Sequence, residues 1–258
     1  MCGGRGISHL VLLAVVALAA AVVQAATGLG FALILSPAVF ALLEPESAVV
    51  AITVLGLALN GLVLFGERRR PRVAWGEVGP ILVASIPGAV CGVLLLRALP
   101  KSVLQIAVGV AVIGAAALRA RARRDAAPPT PGDPRARLAL GFVTGTLSTS
   151  AGVNGPPIAL WFAHRGLGPA EIRDSLSAAF LGLGIIAAIV LAPVLATADV
   201  EVDWGALGAA LVCVVVGHAV GRRAFARIDA ARYEPLLLAI VVAAGAASVV
   251  AGVITAST

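Results

Sequence analysis

Two short polar stretches interrupt an otherwise apolar chain: "QAATGLG" at 24–30 and "STSAGVNGPP" at 148–157. Their chemistry-bearing residues are Gln24, Thr27, Ser148, Thr149, Ser150 and Asn154, set among Gly28, Gly30, Gly152, Gly155 and Pro156. All are neutral hydrogen-bonding groups or residues that open the backbone, with no carboxylate, thiol or imidazole between them. Such a set offers neither a nucleophile–base pair nor a metal-ligand pattern. It can hydrogen-bond a ligand. Glycine lets the backbone turn sharply and approach a ligand closely. Proline suits the first turn of a helix, where an N–H has no intrahelical partner. A helix that starts just after such a stretch aims its free N–H groups and positive dipole end into the break, which makes an anion site. These residues form the candidate substrate-binding set, and no catalytic residue, metal or cofactor is expected.

The elements that must hold them lie in lipid. Of 258 residues 60% are hydrophobic and only 12% charged, and the mean hydropathy is +1.04. That composition excludes an ordinary soluble domain and a disordered chain, and it fits a multi-pass membrane protein. A spanning helix needs roughly 20 mostly apolar residues. Continuous spans are expected at 48–65, 75–96, 103–118, 172–192, 204–221 and 235–254. Two further apolar segments, 7–43 and 138–164, carry the polar breaks. A broken helix in lipid leaves backbone groups unsatisfied at several kcal/mol each unless protein or water covers them, so each break needs a reason. Cys2, Cys91 and Cys213 show no zinc or disulfide spacing, and no phosphate-binding GxxxxGK[ST] motif occurs. Arg5, the apolar run from Leu10 and "VVQAATG" resemble a cleavable secretory signal, but the repeat described next makes this segment the partner of a later one.

The chain is written twice. "WGEVGPILVASIPGAVCG" at 75–92 matches "WGALGAALVCVVVGHAVG" at 204–221 without a gap, each closing on Gly-x-x-x-Gly (Gly88/Gly92 and Gly217/Gly221). The "TGLGFALILSP" around Gly28 aligns with "AGVNGPPIALW" around Gly152. The fold expected is an all-α polytopic membrane protein of two inverted repeats, each a broken or re-entrant helical hairpin plus three transmembrane helices. The repeats cover 1–118 and 137–258, joined by a cytoplasmic Arg/Pro-rich linker at 119–136. The inversion is argued from charge, because cytoplasmic loops are enriched in Lys and Arg. The loop before Trp75 is basic and the one before Trp204 is acidic. "EPES" at 44–47 is acidic and its partner at 164–173 is basic. Equivalent loops therefore face opposite sides. An odd number of crossings per half follows, and the broken segment must enter and leave on one side.

Other polar residues in the spans have plainer readings. Thr144 and Thr146 are expected to bond back to their own helix, and the Gly-x-x-x-Gly pairs and Gly79 to pack helices closely. Asn60 and Gln105 read as helix-interface groups, and His218 as interfacial packing rather than a proton carrier. Arg173, before Asp174 and Ser175, reads equally as an anion attractor at the cytoplasmic mouth or as an ordinary inside-facing arginine.

"GLGFALILSP", "EPESAVVAITVLGLALNGLVLFGERR", "GTLSTSAGVNGPPIALWF" and "IRDSLSAAFLG" resemble the sulfite exporter TauE/SafE family, also called the toluene-sulfonate uptake permeases. The likeness covers nearly the whole chain apart from the linker. Its most specific element is a GxGGPP-like turn, here Gly152-Val153-Asn154-Gly155-Pro156-Pro157, in which Asn154 replaces the family's usual glycine. The resemblance implies transport of small sulfur-containing anions such as sulfite, sulfonates or sulfoacetate. The expectation is a secondary permease of the cell inner membrane, not an enzyme, holding its substrate at the midplane between the two tips. Alternatives are a permease for another small anion and a non-transporting scaffold or assembly factor. The partners expected are a small organosulfur or sulfur oxyanion and the lipid bilayer, with no nucleic acid. A coupling ion (proton or sodium) and a homodimer stay open.

Overall fold

The computed structural model describes residues 3–66, 69–100, 133–152, 154–195 and 203–226, and the scattered positions 102, 103, 106, 110, 113, 239, 242, 243, 246, 249, 250 and 252–254. The described residues are helical, without strands. The helices are α1 (Gly3–Thr27), α2 (Phe31–Leu42), α3 (Pro45–Phe65), α4 (Trp75–Ala98), α5 (Pro134–Ala151), α6 (Gly155–His164), α7 (Pro169–Leu195) and α8 (Trp204–Phe225). Their starts follow local chemistry. Pro45 and Pro134 open α3 and α5, and the carboxylates of Asp133 and Asp203 accept the N–H groups of Arg135 and Ala206.

Among the described residues four helices are long and apolar enough to cross a membrane: Glu46–Phe65, Trp75–Ala98, Pro169–Pro193 and Trp204–Ala224. They coincide with four of the spans expected from the sequence. The spans expected at 103–118 and 235–254, Gln105 and most of the 119–136 linker lie outside the described residues. Val83, Val90 and Leu94 on α4, Ile185 and Ile189 on α7, and Val212, Val216 and Val220 on α8 all face outward. In water this would be an apolar surface without cover; a bilayer is the solvent that matches it.

The two sets of four helices exchange partners. Helix α4 packs most extensively on α5, and α1 on α8, while α3 meets α7. So the last helix of each set lies along the first arm of the other. Small residues make these seams. A Cβ on Gly88 would strike the Phe142 carbonyl, one on Gly145 the Ser85 carbonyl, and one on Gly221 the Val22 carbonyl. The backbones touch, as expected for small residues spaced four apart. Gly79 differs from its expected packing role, because nothing lies within 4 Å of where its Cβ would be.

One polar cluster fixes the path of the second broken segment. Glu77, in the first turn of α4, accepts from Trp161 Nε1 at 2.9 Å and from Arg165 Nη2 at 2.7 Å, and Arg137 Nε lies 3.5 Å away. Arg137 is in the first turn of α5 and Arg165 follows α6. Both outer ends of this segment therefore meet at the start of α4, so it enters and leaves at the same end of the bundle. Its second arm has 10 residues, or about 15 Å of helix, half of a ~30 Å hydrocarbon core.

The charge rule for membrane loops, which are richer in Lys and Arg on the cytoplasmic side, gives an expectation for which way this end faces. In a protein whose native cysteines are replaced by serine, Arg70→Cys should react with an impermeant thiol reagent only after the membrane is opened. Asp199→Cys should react from outside in intact cells. Labelling of both from outside would overturn this orientation.

Candidate functional site

Both breaks open onto one pocket between α3 and α7, with a cavity volume of about 50 Å³. A single water needs only ~10–15 Å³ by this measure, so the space suits a few waters or one compact anion.

At the first break α1 ends in donors that cover its carbonyls. The Thr27 hydroxyl lies 2.8 Å from the Val23 carbonyl and 2.7 Å from that of Leu29. The Arg173 Nε donates to the Ala25 carbonyl at 2.8 Å. Gly28 (φ +81) and Gly30 (φ +123) then turn the chain through conformations that other residues rarely adopt. Helix α2 starts with no cap from its own neighbour. Instead the Gln24 Oε1 reaches forward and accepts the Phe31 N–H at 3.0 Å. The same amide donates through Nε2 to Asn60 Oδ1 at 2.8 Å, and Asn60 Nδ2 donates to the Gly56 carbonyl at 2.7 Å.

The second break repeats the plan with other side chains. Gly152 (φ +67) ends α5 in the left-handed region, its N–H on the Leu147 carbonyl. The Ser150 hydroxyl donates to the Thr146 carbonyl at 2.7 Å, and Thr149 donates across to the Ala89 carbonyl of α4 at 2.8 Å. Asn154 precedes α6, and its Nδ2 lies 3.1 Å from Ser148 Oγ. Pro156 and Pro157 have no N–H. Among the first three residues of α6 only Gly155 therefore carries an N–H, with that of Asn154 just before it.

The pocket has an internal regularity. Gln24 and Ser148, Gly30 and Asn154, Phe31 and Gly155, Gly56 and Phe180, and Asn60 and Gly184 all line it, and each pair is separated by one constant offset in sequence. Gly28 and Gly152 share that offset. The pairing carries the correspondence of the two tips into α3 and α7.

Of the residues singled out from sequence, Gln24, Gly30, Ser148, Gly152, Asn154 and Gly155 line the pocket. Thr27, Gly28, Thr149 and Ser150 are outside its lining; the hydroxyls of Thr27, Thr149 and Ser150 turn to carbonyls, and Pro156 lies in the first turn of α6. Sequence reasoning missed Asn60, read as an interface group but placed in the pocket wall beside Gln24. Its only sequence signal is its place in the constant offset. Arg173 also differs from both of its readings: it is fully buried, against α1 and Gly28, and faces no mouth. Thr144 and Thr146 bond back to carbonyls of α5, as expected, and Thr146 also reaches the Gly88 carbonyl.

The electrostatic result follows from which ends are covered. Carbonyls at the ends of α1 and α5 are met by hydroxyls and by a guanidinium, which offsets the negative end of α1. The N-terminal ends of α2 and α6 face the pocket. Among the described residues no group of three or more His, Cys, Asp and Glu could hold a metal ion. The site is a small chamber rich in donors.

A family model described as Sulfite exporter TauE/SafE matches residues 13–248. No curated protein and no solved structure gives a significant match.

Proposed function

The chain belongs to the sulfite exporter TauE/SafE family, and we propose that it carries a compact sulfur oxyanion, such as sulfite or the head group of a sulfonate or sulfoacetate, through the pocket between its two helix breaks. Family membership makes it a multi-pass membrane permease of the sulfur-anion exporter type. The observation that supports the finer reading is the convergence of the α1–α2 and α5–α6 breaks on a single cavity of about 50 Å³. Two half-helices meeting near the midplane at the interface of two inverted repeats is the arrangement by which secondary transporters hold substrate and alternate access around it. Here the bound ions would be taken by the N–H groups of α2 and α6 with Gln24, Ser148 and Asn154. The cell inner membrane is the proposed location. A scaffold or assembly factor would have no use for paired breaks that share a chamber.

The test is flux of sulfite, sulfoacetate and methanesulfonate into proteoliposomes of the purified chain. No flux of any of them above protein-free liposomes would sink the reading. Within that assay Asn154→Asp should weaken anion affinity by at least about tenfold, because a carboxylate would then face the anion across a few ångströms. Asn154→Gly, which restores the residue usual in the family's turn, should keep transport. Equal affinity in wild type and a folded Asn154→Asp protein would remove this residue from the site.

A further inference from the structure

We propose that Asn60 is a specificity-determining, substrate-contacting residue, which with Gln24 makes one wall of the pocket an N–H donor surface that accepts only oxyanions without donors of their own. The inference rests on the anion-permease reading and deepens it. A side-chain amide has an acceptor oxygen and a two-hydrogen donor nitrogen, and it can usually present either to a ligand. Here neither amide can choose. The Phe31 N–H can only donate, so the Gln24 group 3.0 Å from it must be the oxygen. The Gly56 carbonyl can only accept, so the Asn60 group 2.7 Å from it must be the nitrogen. The contact between them, 2.8 Å, is then forced to run from Gln24 Nε2 to Asn60 Oδ1.

Both oxygens are engaged within this chain, and each nitrogen has used one of its two hydrogens. Both side chains are 3% exposed and both line the pocket. A buried amide hydrogen without a partner is unfavourable, so the wall offers two donors that a ligand oxygen satisfies. The equivalent wall in the other half lacks this constraint. Gly184 stands where Asn60 would be, and the contact between Asn154 and Ser148 joins two groups that can each donate or accept. Polarity is thus fixed on one wall only. A sulfonate or sulfite oxygen, which only accepts, matches it; a ligand that presents its own N–H there leaves two donors face to face.

The experiment uses the full chain in lipid nanodiscs, with methanesulfonate and its near-isosteric neutral relative methanesulfonamide as probes, and calorimetry as the readout. Wild type should bind methanesulfonate and discriminate against the sulfonamide by at least about 100-fold. Asn60→Asp replaces one of the wall's two donors by a charged acceptor. It should weaken methanesulfonate by about 30-fold or more, while binding of the sulfonamide holds or rises, so that the ratio collapses. A residue that merely supports the fold would lower both together. Asn60→Leu, which carries no buried charge, guards against failure to fold. It should lose about tenfold in methanesulfonate affinity and leave the sulfonamide unchanged. If wild type binds neither methanesulfonate nor sulfite, the anion-permease reading falls and takes this one with it. Should wild type bind methanesulfonate and the folded Asn60→Asp and Asn60→Leu proteins bind it equally well, only the assignment of Asn60 is overturned.

Discussion

Gly28→Val and Gly152→Val should each reduce anion flux by at least about 100-fold in protein that still inserts, with a wild-type size-exclusion profile as the check. Both glycines hold a left-handed backbone, at φ +81 and +67, which costs a branched residue roughly 1–2 kcal/mol before any contact is made. The contacts differ, and the difference is itself testable. A Cβ on Gly28 would lie 2.8 Å from the Cα of Arg173, a backbone atom of α7. A Cβ on Gly152 would meet the Ile52 side chain at 3.1 Å, which can rotate away. Gly28→Ala should therefore lose most of its flux while Gly152→Ala keeps a measurable part. Gly79→Ala, with nothing within 4 Å and a place inside α4, should transport like wild type and gain slightly in helix stability. Full activity in both valine variants would mean that the breaks are structural and the anion passes elsewhere. Loss in the Gly152 variant alone would confine the site to the second break.

The contrast between Gly28 and Gly79 indicates what can be read from the chain. The four described spans are legible because a length of apolar residues is a one-dimensional signal, and lipid enforces it along a single helix. The breaks are legible for the same reason: glycine, asparagine and paired proline are incompatible with an unbroken span. The seams at Gly88 and Gly221 follow from spacing on one face. What does not follow is which partner a side chain meets. Gly79 looks like its neighbours in composition, yet it faces open space. Asn60 looks like any polar residue in a helix interface until the fold brings Gln24 to it. Arg173 sits in a basic loop by sequence, yet the first helix ends against it, so the charge serves a carbonyl of α1. Each of these depends on a contact between residues far apart in the chain, and composition carries no trace of it.

The same limit applies to Asp174, and it leads to the largest expected effect on stability. This carboxylate is 1% exposed, and it accepts both Nη groups of Arg69 at 2.7 Å and the Arg72 N–H at 2.7 Å. Next to it the Ser175 hydroxyl accepts the Ala74 N–H at 2.9 Å. These bonds fasten the α3–α4 connection onto α7, the helix that also carries Arg173 under Gly28 and Phe180 and Gly184 in the pocket. Removing one partner of a buried pair leaves a charge without compensation, at about 3–5 kcal/mol. Arg69 is itself 37% exposed, so Arg69→Ala should fall at the low end, about 3 kcal/mol. Arg69→Lys should recover little of it, since an ammonium cannot reproduce the two parallel bonds of a guanidinium to a carboxylate. Asp174→Asn combined with Arg69→Ala should be more stable than Arg69→Ala alone, because the neutral amide still accepts the Arg72 N–H and no buried carboxylate is left without its partner. Reversible unfolding in detergent micelles measures all three. Wild-type stability in Arg69→Ala would show that the carboxylate is already compensated by the backbone donor, and that the connection is held to α7 without the ion pair. With the expected loss, the double variant separates two roles. If its stability returns and flux does not, the pair also sets the position of α7 against the tip at Gly28, where a displacement of a few tenths of an ångström would reach the pocket.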